Sequence, residues 1–239
     1  MSIKSWLAFL VFGSTLGLLL FLGFWQLNRA EEKQALIKIR LEREQGPVLR
    51  LDKNFLDGDN LRDHKVVVSG VYDAQHQFLL DNQIIAGRIG VYVMTPLRIT
   101  GSSRAVLVNR GWVPISGRRR VESNIGIDEL HVKLVGSVKN FPAVGYKLDG
   151  AEIPTPGWPS MIQVVDEVRL SKILGYELLP YQLLLSADAE QGFDRRWPES
   201  YPMSPEKHIG YAVQWFLLAF TLVVLVIWRS KKSDRKAGE

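Results

Sequence analysis

His208, Tyr211, Ala212 and Trp215 follow one another at i, i+3, i+4 and i+7, the spacing that places four side chains on one face of a helix. An imidazole with one nitrogen free can ligate iron, and aromatic rings with a small residue between them can accept a flat macrocycle. Across the same apolar boundary stand Trp25, Gln26 and Arg29, and Arg29 and Lys207 carry the charge that porphyrin propionates would need. The same residues also describe an aromatic belt with an interfacial histidine. Residue types alone leave both readings open.

Other chemistry is thin. The chain has no cysteine, which excludes disulfides, thiolate metal sites, cysteine nucleophiles and thiol redox work. There is no G-x-S-x-G, Walker loop, strand-linked G-x-G-x-x-G or H-E-x-x-H. His64, His76 and His131 have no carboxylate or histidine at ligand spacing on a shared helix face and read as ordinary polar histidines. Asp81 and Asp128 stand singly in turns, so no pair is available for acid–base work. The sequence predicts no catalytic residue, and an envelope enzyme would need a carboxylate– or hydroxyl–histidine pair that the sequence does not display. Arg118-Arg119-Arg120 reads as a solvated loop or as a contact with headgroups or a partner subunit.

Two apolar segments must position the candidate residues. Trp6–Leu27 and Ile209–Trp228 contain no charged residue. At helical rise they span roughly 33 Å and 30 Å, enough for a bilayer core of about 30 Å. The first is longer than a signal-peptide core and lacks a small-x-small cleavage site, so it reads as an uncleaved anchor. Gly13-x-x-x-Gly17 offers a close-packing face where the second span would dock. The tail after Trp228 carries Arg229, Lys231, Lys232, Arg235 and Lys236 against Asp234 and Glu239. By the positive-inside rule that tail is cytoplasmic, and two spans return the N-terminus to the same side. Basicity (formal net charge +5) thus reports orientation and anionic lipid rather than nucleic acid.

The expected order is residues 1–5 cytoplasmic, 6–27 and 209–228 transmembrane, 28–208 periplasmic and 229–239 a basic cytoplasmic tail. With no transit-peptide composition ahead of the first anchor, the expected location is a bacterial inner membrane. Helical pattern continues as a stalk through Ala30–Arg43 and ends at Gly46-Pro47. The segment from Phe55 to Lys65 reads as a loop turning at Asp57-Gly58-Asp59-Asn60.

Strand period then takes over at Lys65–Tyr72, Gln77–Asp81, Arg88–Ile99, Arg104–Val113, Leu130–Val138 and Tyr181–Ser186, with a hairpin loop at Ile99–Arg104. Asn109-Arg110-Gly111-Trp112 marks a strand end at a sheet corner. Residues 141–160 are expected to be irregular, and Asp166–Leu174 is a short helix closed by Gly175. The predicted fold is an α+β membrane protein: two transmembrane helices flanking one mainly antiparallel β domain, an open barrel or twisted sheet, with a short helix.

One ordered series of motifs goes further. It comprises Gly23-Phe24-Trp25-Gln26-Leu27-x-Arg29-x-x-x-Lys33, Val68-x-Gly70-x-Tyr72, Leu79-Leu80-Asp81-Asn82, Gly87-Arg88-x-Gly90-x-x-Val93-x-Thr95-Pro96-Leu97, Val108–Pro114 and His208-x-x-Tyr211-Ala212-x-Gln214-Trp215-Phe216. It resembles the surfeit locus protein 1 family of assembly factors for haem–copper oxidases, over nearly the whole chain except residues 115–160. The resemblance implies a non-enzymatic biogenesis factor that helps insert haem A into, or stabilises, cytochrome oxidase subunit I, with haem A synthase as a possible further partner. It places the haem-associated histidine, and so the iron ligand, at His208, with Tyr211, Trp215, Trp25, Gln26 and Arg29 around the cofactor. A protein–protein chaperone of the oxidase without haem contact is the alternative, beside an envelope enzyme of unknown substrate.

Overall fold

In the computed structural model, residues 3–52, 61–117, 120–121, 123–142, 150–197 and 203–237 are described, with side chains left aside at 3–5, 120 and 233–237. The expected turn at 57–60 and the arginines at 118 and 119 lie outside them, as does the Arg120 side chain. Helices α1 (Ile3–Gln45) and α3 (Pro205–Ala237) enclose, in sequence, strands β1 (Leu49–Arg50), β2 (Lys65–Tyr72), β3 (Phe78–Ile85), β4 (Arg88–Ile99), β5 (Arg104–Ser116), β6 (Arg120–Val121), β7 (His131–Lys139), β8 (Ser160–Ile162), helix α2 (Glu167–Leu174) and β9 (Glu177–Leu185). The chain divides into two compact units, Met1–Arg40 with Glu199–Glu239, and Leu41–Pro198.

The first unit is helical. α1 runs unbroken through the apolar segment and the charged stalk, because nothing between Trp6 and Gln45 breaks a helix. Both helices are long and apolar enough to cross a membrane. Phe9, Phe21, Phe220 and Trp228 are each more than 60% exposed. So large an apolar surface cannot face water, and its natural solvent is lipid. The basic tail is not a separate segment, since α3 stays helical through Ala237.

The second unit is a mixed sheet in the order β1-β2-β7-β9-β5-β4-β3-β8, with β6 paired to β5. Most pairings are antiparallel; β1–β2, β3–β8 and β5–β9 are parallel. The sheet curls until Gly70–Tyr72 at the end of β2 meets Leu97–Ile99 of β4, a pairing of three residues that leaves it short of a closed barrel. Gly70 permits that approach, since a Cβ there would lie 2.4 Å from the Arg98 carbonyl oxygen. Alternation on β2 and β7 sends Val66, Val68, Leu134 and Val138 inward to meet Leu97, Val106, Val108 and Leu183.

Three strand ends differ from expectation, and each has a local cause. β3 continues past Asp81 because Asp81-Asn82 forms a bulge, with Asn82 at φ 61°, rather than a turn. β5 continues past Gly111 to Ser116, so the expected corner is a twist inside a strand. β9 begins at Glu177, its Pro180 accommodated where Ala105 pairs Leu178 and Leu107 pairs Gln182. β1, β6 and β8, each two or three residues long, carry no strand period in the sequence; β6 begins at Arg120 of the expected basic loop and β8 lies at the end of the expected irregular stretch.

Helix α2 is capped as expected. The Asp166 carboxylate accepts the Arg169 backbone N–H at 2.9 Å, and Gly175 closes the helix at φ 77°. Asp166→Ala is expected to lower stability by about 1 kcal/mol, read as a shift of the urea midpoint with unchanged slope. A variant as stable as the parent would show that the cap bond has no net value.

Candidate functional site

The helical unit brings α1 and α3 together along small residues. Gly23 and Ala30 on α1, and Ala212 and Ala219 on α3, are buried, each pair seven residues apart. That two-turn spacing keeps a single stripe of each helix turned inward. The Phe216 ring lies over Gly23, where an added Cβ would stand 2.6 Å from ring carbon Cε1. Phe24 meets the same ring edge-on, with centroids 5.3 Å apart. The expected docking face at Gly13 and Gly17 is not used, since a Cβ on either meets nothing within 4 Å. The better signal was the repeated small residue at 23, 30, 212 and 219, which brings α3 against α1 one to two turns further along.

On that seam His208 and Gln26 meet. The His208 Nδ1 lies 2.7 Å from Gln26 Oε1. An amide oxygen can only accept, so in this arrangement Nδ1 donates, and in the neutral ring that does so Nε2 holds the lone pair. Nε2 has no hydrogen-bond partner among the described residues, and it is not one of the fully enclosed unpaired polar atoms of the chain. His208 as a whole is 8% exposed. A largely buried imidazole with one nitrogen hydrogen-bonded and the other without a hydrogen-bond partner can act as a metal ligand.

The remaining predicted residues sit around this pair without touching it. Trp25 is 44% exposed, and the Arg29 guanidinium lies 6.0 Å from its ring centroid. Arg29 also pairs with Glu32 at 2.6 Å. Trp215 is half-buried, whereas Tyr211 is 44% exposed and stands off the buried stripe. Tyr211 and Trp215 share the helix face of His208 and Ala212 but flank the inward line, which runs His208, Ala212, Phe216 and Ala219.

The sheet unit holds its polar side chains inside. Arg110 is 1% exposed. Its Nε donates to the Gln191 carbonyl at 2.9 Å, Nη1 to the Ile125 carbonyl at 2.9 Å and to Gln77 Oε1 at 3.2 Å, and Nη2 to the Gly126 carbonyl at 3.2 Å. The Phe193 ring lies 5.0 Å from its guanidinium. Thr95 donates to the same Gln77 oxygen, and Asn109 donates to Gln182. An arginine inside a run of β-branched residues was the available signal for this knot. Burial pulls the guanidinium below its ordinary range, opposed by Tyr72 and Asp128.

A carboxylate–histidine pair does exist, contrary to expectation. His76 Nδ1 is 2.8 Å from both oxygens of Asp73, across the β2–β3 turn rather than on a helix. Tyr176 donates to the same carboxylate at 2.8 Å, and the Trp158 ring meets His76 edge-on with centroids 4.7 Å apart. With Tyr176 and His76 both bonded to it, Asp73 ties the turn to the start of β9. Burial first, and then the bond to Asp73, pushes the Tyr176 hydroxyl well up. Asp81, expected in a turn, is 1% exposed within the β3 bulge. Among the described residues no three histidine or carboxylate side chains gather as a metal site.

A model of the SURF1 family matches residues 14–220, taking in the Gly23–Arg29 motif, the whole sheet and the His208–Phe216 motif. The chain belongs to the SURF1 family. A SURF1-like protein of Rickettsia bellii is 28% identical, the match covering 91% of this chain and 89% of that one. A SURF1-like protein of Rickettsia felis is 26% identical over 90% and 93% of the two chains. Surfeit locus protein 1 of Arabidopsis thaliana is 24% identical over 88% and 74%. SURF1-family proteins are known as cytochrome oxidase assembly factors. In these terms, the resemblance carried by the motif series is a family relationship along most of the chain.

Proposed function

We propose that this SURF1-family chain serves haem–copper oxidase biogenesis by holding haem A at His208, for insertion into subunit I or for stabilising that subunit while it is filled. The observation that carries the reading is the single hydrogen bond on His208 Nδ1, which leaves Nε2 open. When bound, the haem would supply the iron that accepts this nitrogen. The exposed faces of Trp25 and Tyr211 offer apolar surface to a macrocycle, and Arg29 offers a cation to its propionates. In this reading α1 and α3 cross a bacterial inner membrane with both termini cytoplasmic and the sheet unit periplasmic. Subunit I, and haem A synthase as the source of the cofactor, are the partners.

A second reading is favoured by one observation: His208 is only 8% exposed, and its bond to Gln26 joins two apolar helices. A polar pair of that kind also acts as interhelical glue, worth about 0.6–2 kcal/mol in membranes. The chain would then be a protein chaperone of the oxidase without haem contact. Purification from cells making haem A, with a visible spectrum, separates the two. His208→Ala is expected to lose at least nine-tenths of the bound haem while still inserting in the membrane. Equal haem in the mutant would overturn the ligand assignment, and oxidase subunits co-purifying with a wild-type protein free of haem would support the chaperone.

A further inference from the structure

Gln26 stands out among the residues of the site because it is the one that touches the histidine. Its side-chain oxygen sits 2.7 Å from His208 Nδ1, from the opposite helix and 182 residues away in sequence. Three features make this contact directional. The atom facing the ring is the amide oxygen, which accepts, and this arrangement puts a proton on Nδ1. Gln26 lies between buried Gly23 and Ala30, so the backbone that carries it is held against α3. His208 makes no other hydrogen bond among the described residues, so no competing partner sets the ring.

We infer that Gln26 is a positioning residue that fixes the tautomer and orientation of His208, so that Nε2 is the nitrogen presented to a ligand. The inference rests on the haem reading only in naming iron as that ligand. Ligating histidines are commonly oriented by an acceptor on their other nitrogen, which also raises their basicity. A neutral amide polarises the ring less than a carboxylate would. Glutamine therefore sets a bound iron at a higher potential than glutamate at the same position. Structural glue alone carries no such dependence on the charge of the acceptor.

The experiment uses full-length protein labelled with 15N-histidine in lipid nanodiscs, with His208→Gln assigning the His208 signals among the four histidines. In the parent, neutral His208 is expected with its proton on Nδ1. Gln26→Leu is expected to turn that form from dominant to minor, with the proton moving to Nε2. Gln26→Glu keeps an acceptor of the same reach and is expected to restore the Nδ1 proton. An Nε2 proton in the parent, or no change in Gln26→Leu, overturns the inference. The second arm takes protein purified from cells making haem A. There Gln26→Glu is expected to lower the reduction potential of the bound haem, and Gln26→Leu to raise it. Potentials that ignore both substitutions, in protein that still loses haem with His208→Ala, overturn the positioning role. Haem content that survives His208→Ala, together with the expected tautomers, overturns the haem reading and leaves Gln26 as the residue that orients His208.

Discussion

Replacing Arg110 by leucine is expected to cost the sheet unit about 3–5 kcal/mol. The guanidinium binds the carbonyls of Ile125, Gly126 and Gln191, and those carbonyls come from two separate loops. Without it, three partly buried carbonyls and the buried Gln77 oxygen lose charge-assisted donors, each bond worth about 1.5–3 kcal/mol when made. Lysine keeps the charge but cannot span the same fork, so Arg110→Lys is expected to lose about 2–3 kcal/mol. Both values would be read from denaturant midpoints. The loops at Ile125–Gly126 and Gln191 should also gain amide hydrogen exchange before the sheet does. A leucine variant within 1 kcal/mol of the parent would show that ordered water replaces the guanidinium, at about 1 kcal/mol or less of net cost.

Alkaline pH is expected to unfold the same unit from about pH 10 upward, where exposed tyrosines ionise. Burial raises the Tyr72 hydroxyl, opposed by Arg110, and raises Tyr92, reinforced by Asp194. Tyr181 is pushed up to about 12 by burial, opposed by Arg104. Above pH 10 the unfolded chain sheds protons that the folded chain keeps, so the unfolded state binds fewer and stability falls as pH rises. The stabilisation is complete below pH 10 and disappears as pH climbs through the folded values. Each such tyrosine contributes about 1.4 kcal/mol per pH unit to that slope. Tyr72→Phe tests this directly, because the Tyr72 hydroxyl is buried without a hydrogen-bond partner among the described residues. The variant should match the parent at pH 7 and show a shallower alkaline limb. A loss at pH 7, or an unchanged slope, would contradict the argument.

The strands β2 and β4 and helix α2 were legible from local pattern alone. β-branched alternation bounded by glycine, and Asp166 and Gly175 at the two ends of a helix, are signals that tertiary structure did not override. The misjudged ends of β3 and β9 share one cause: Asn82 and Pro180 look like breakers, but each occupies a bulge where the ladder tolerates it. The parallel pairing of β5 with β9 joins residues more than 70 apart in sequence and leaves no local trace.

In the candidate site, His208 and Gln26 were legible as types at the edges of two spans. Their contact was not, because register between two helices depends on which small residues let them close. Gly23 with Phe216 decides it, whereas Gly13 and Gly17 carry the better-known motif and touch nothing. Arg110 was legible as part of a strand-end motif but not as a buried knot, because an arginine ordinarily reads as surface and its partners are mostly backbone carbonyls that no side-chain pattern can reveal.

The place of β9 in the sheet has a consequence for biosynthesis. β9 lies between β7 and β5, yet it is the last strand to leave the ribosome. Once β5 and β7 have emerged, the edges that will receive β9 stay open while the chain between Lys139 and Glu177 is translated. At about 5–20 residues per second that interval lasts some seconds. A nascent chain stopped before Glu177 thus exposes two long strand edges while its first helix is already available to the bilayer. The sheet is completed only when the segment leading to α3 begins to appear, which makes closure of the domain and arrival of the second helix nearly simultaneous events.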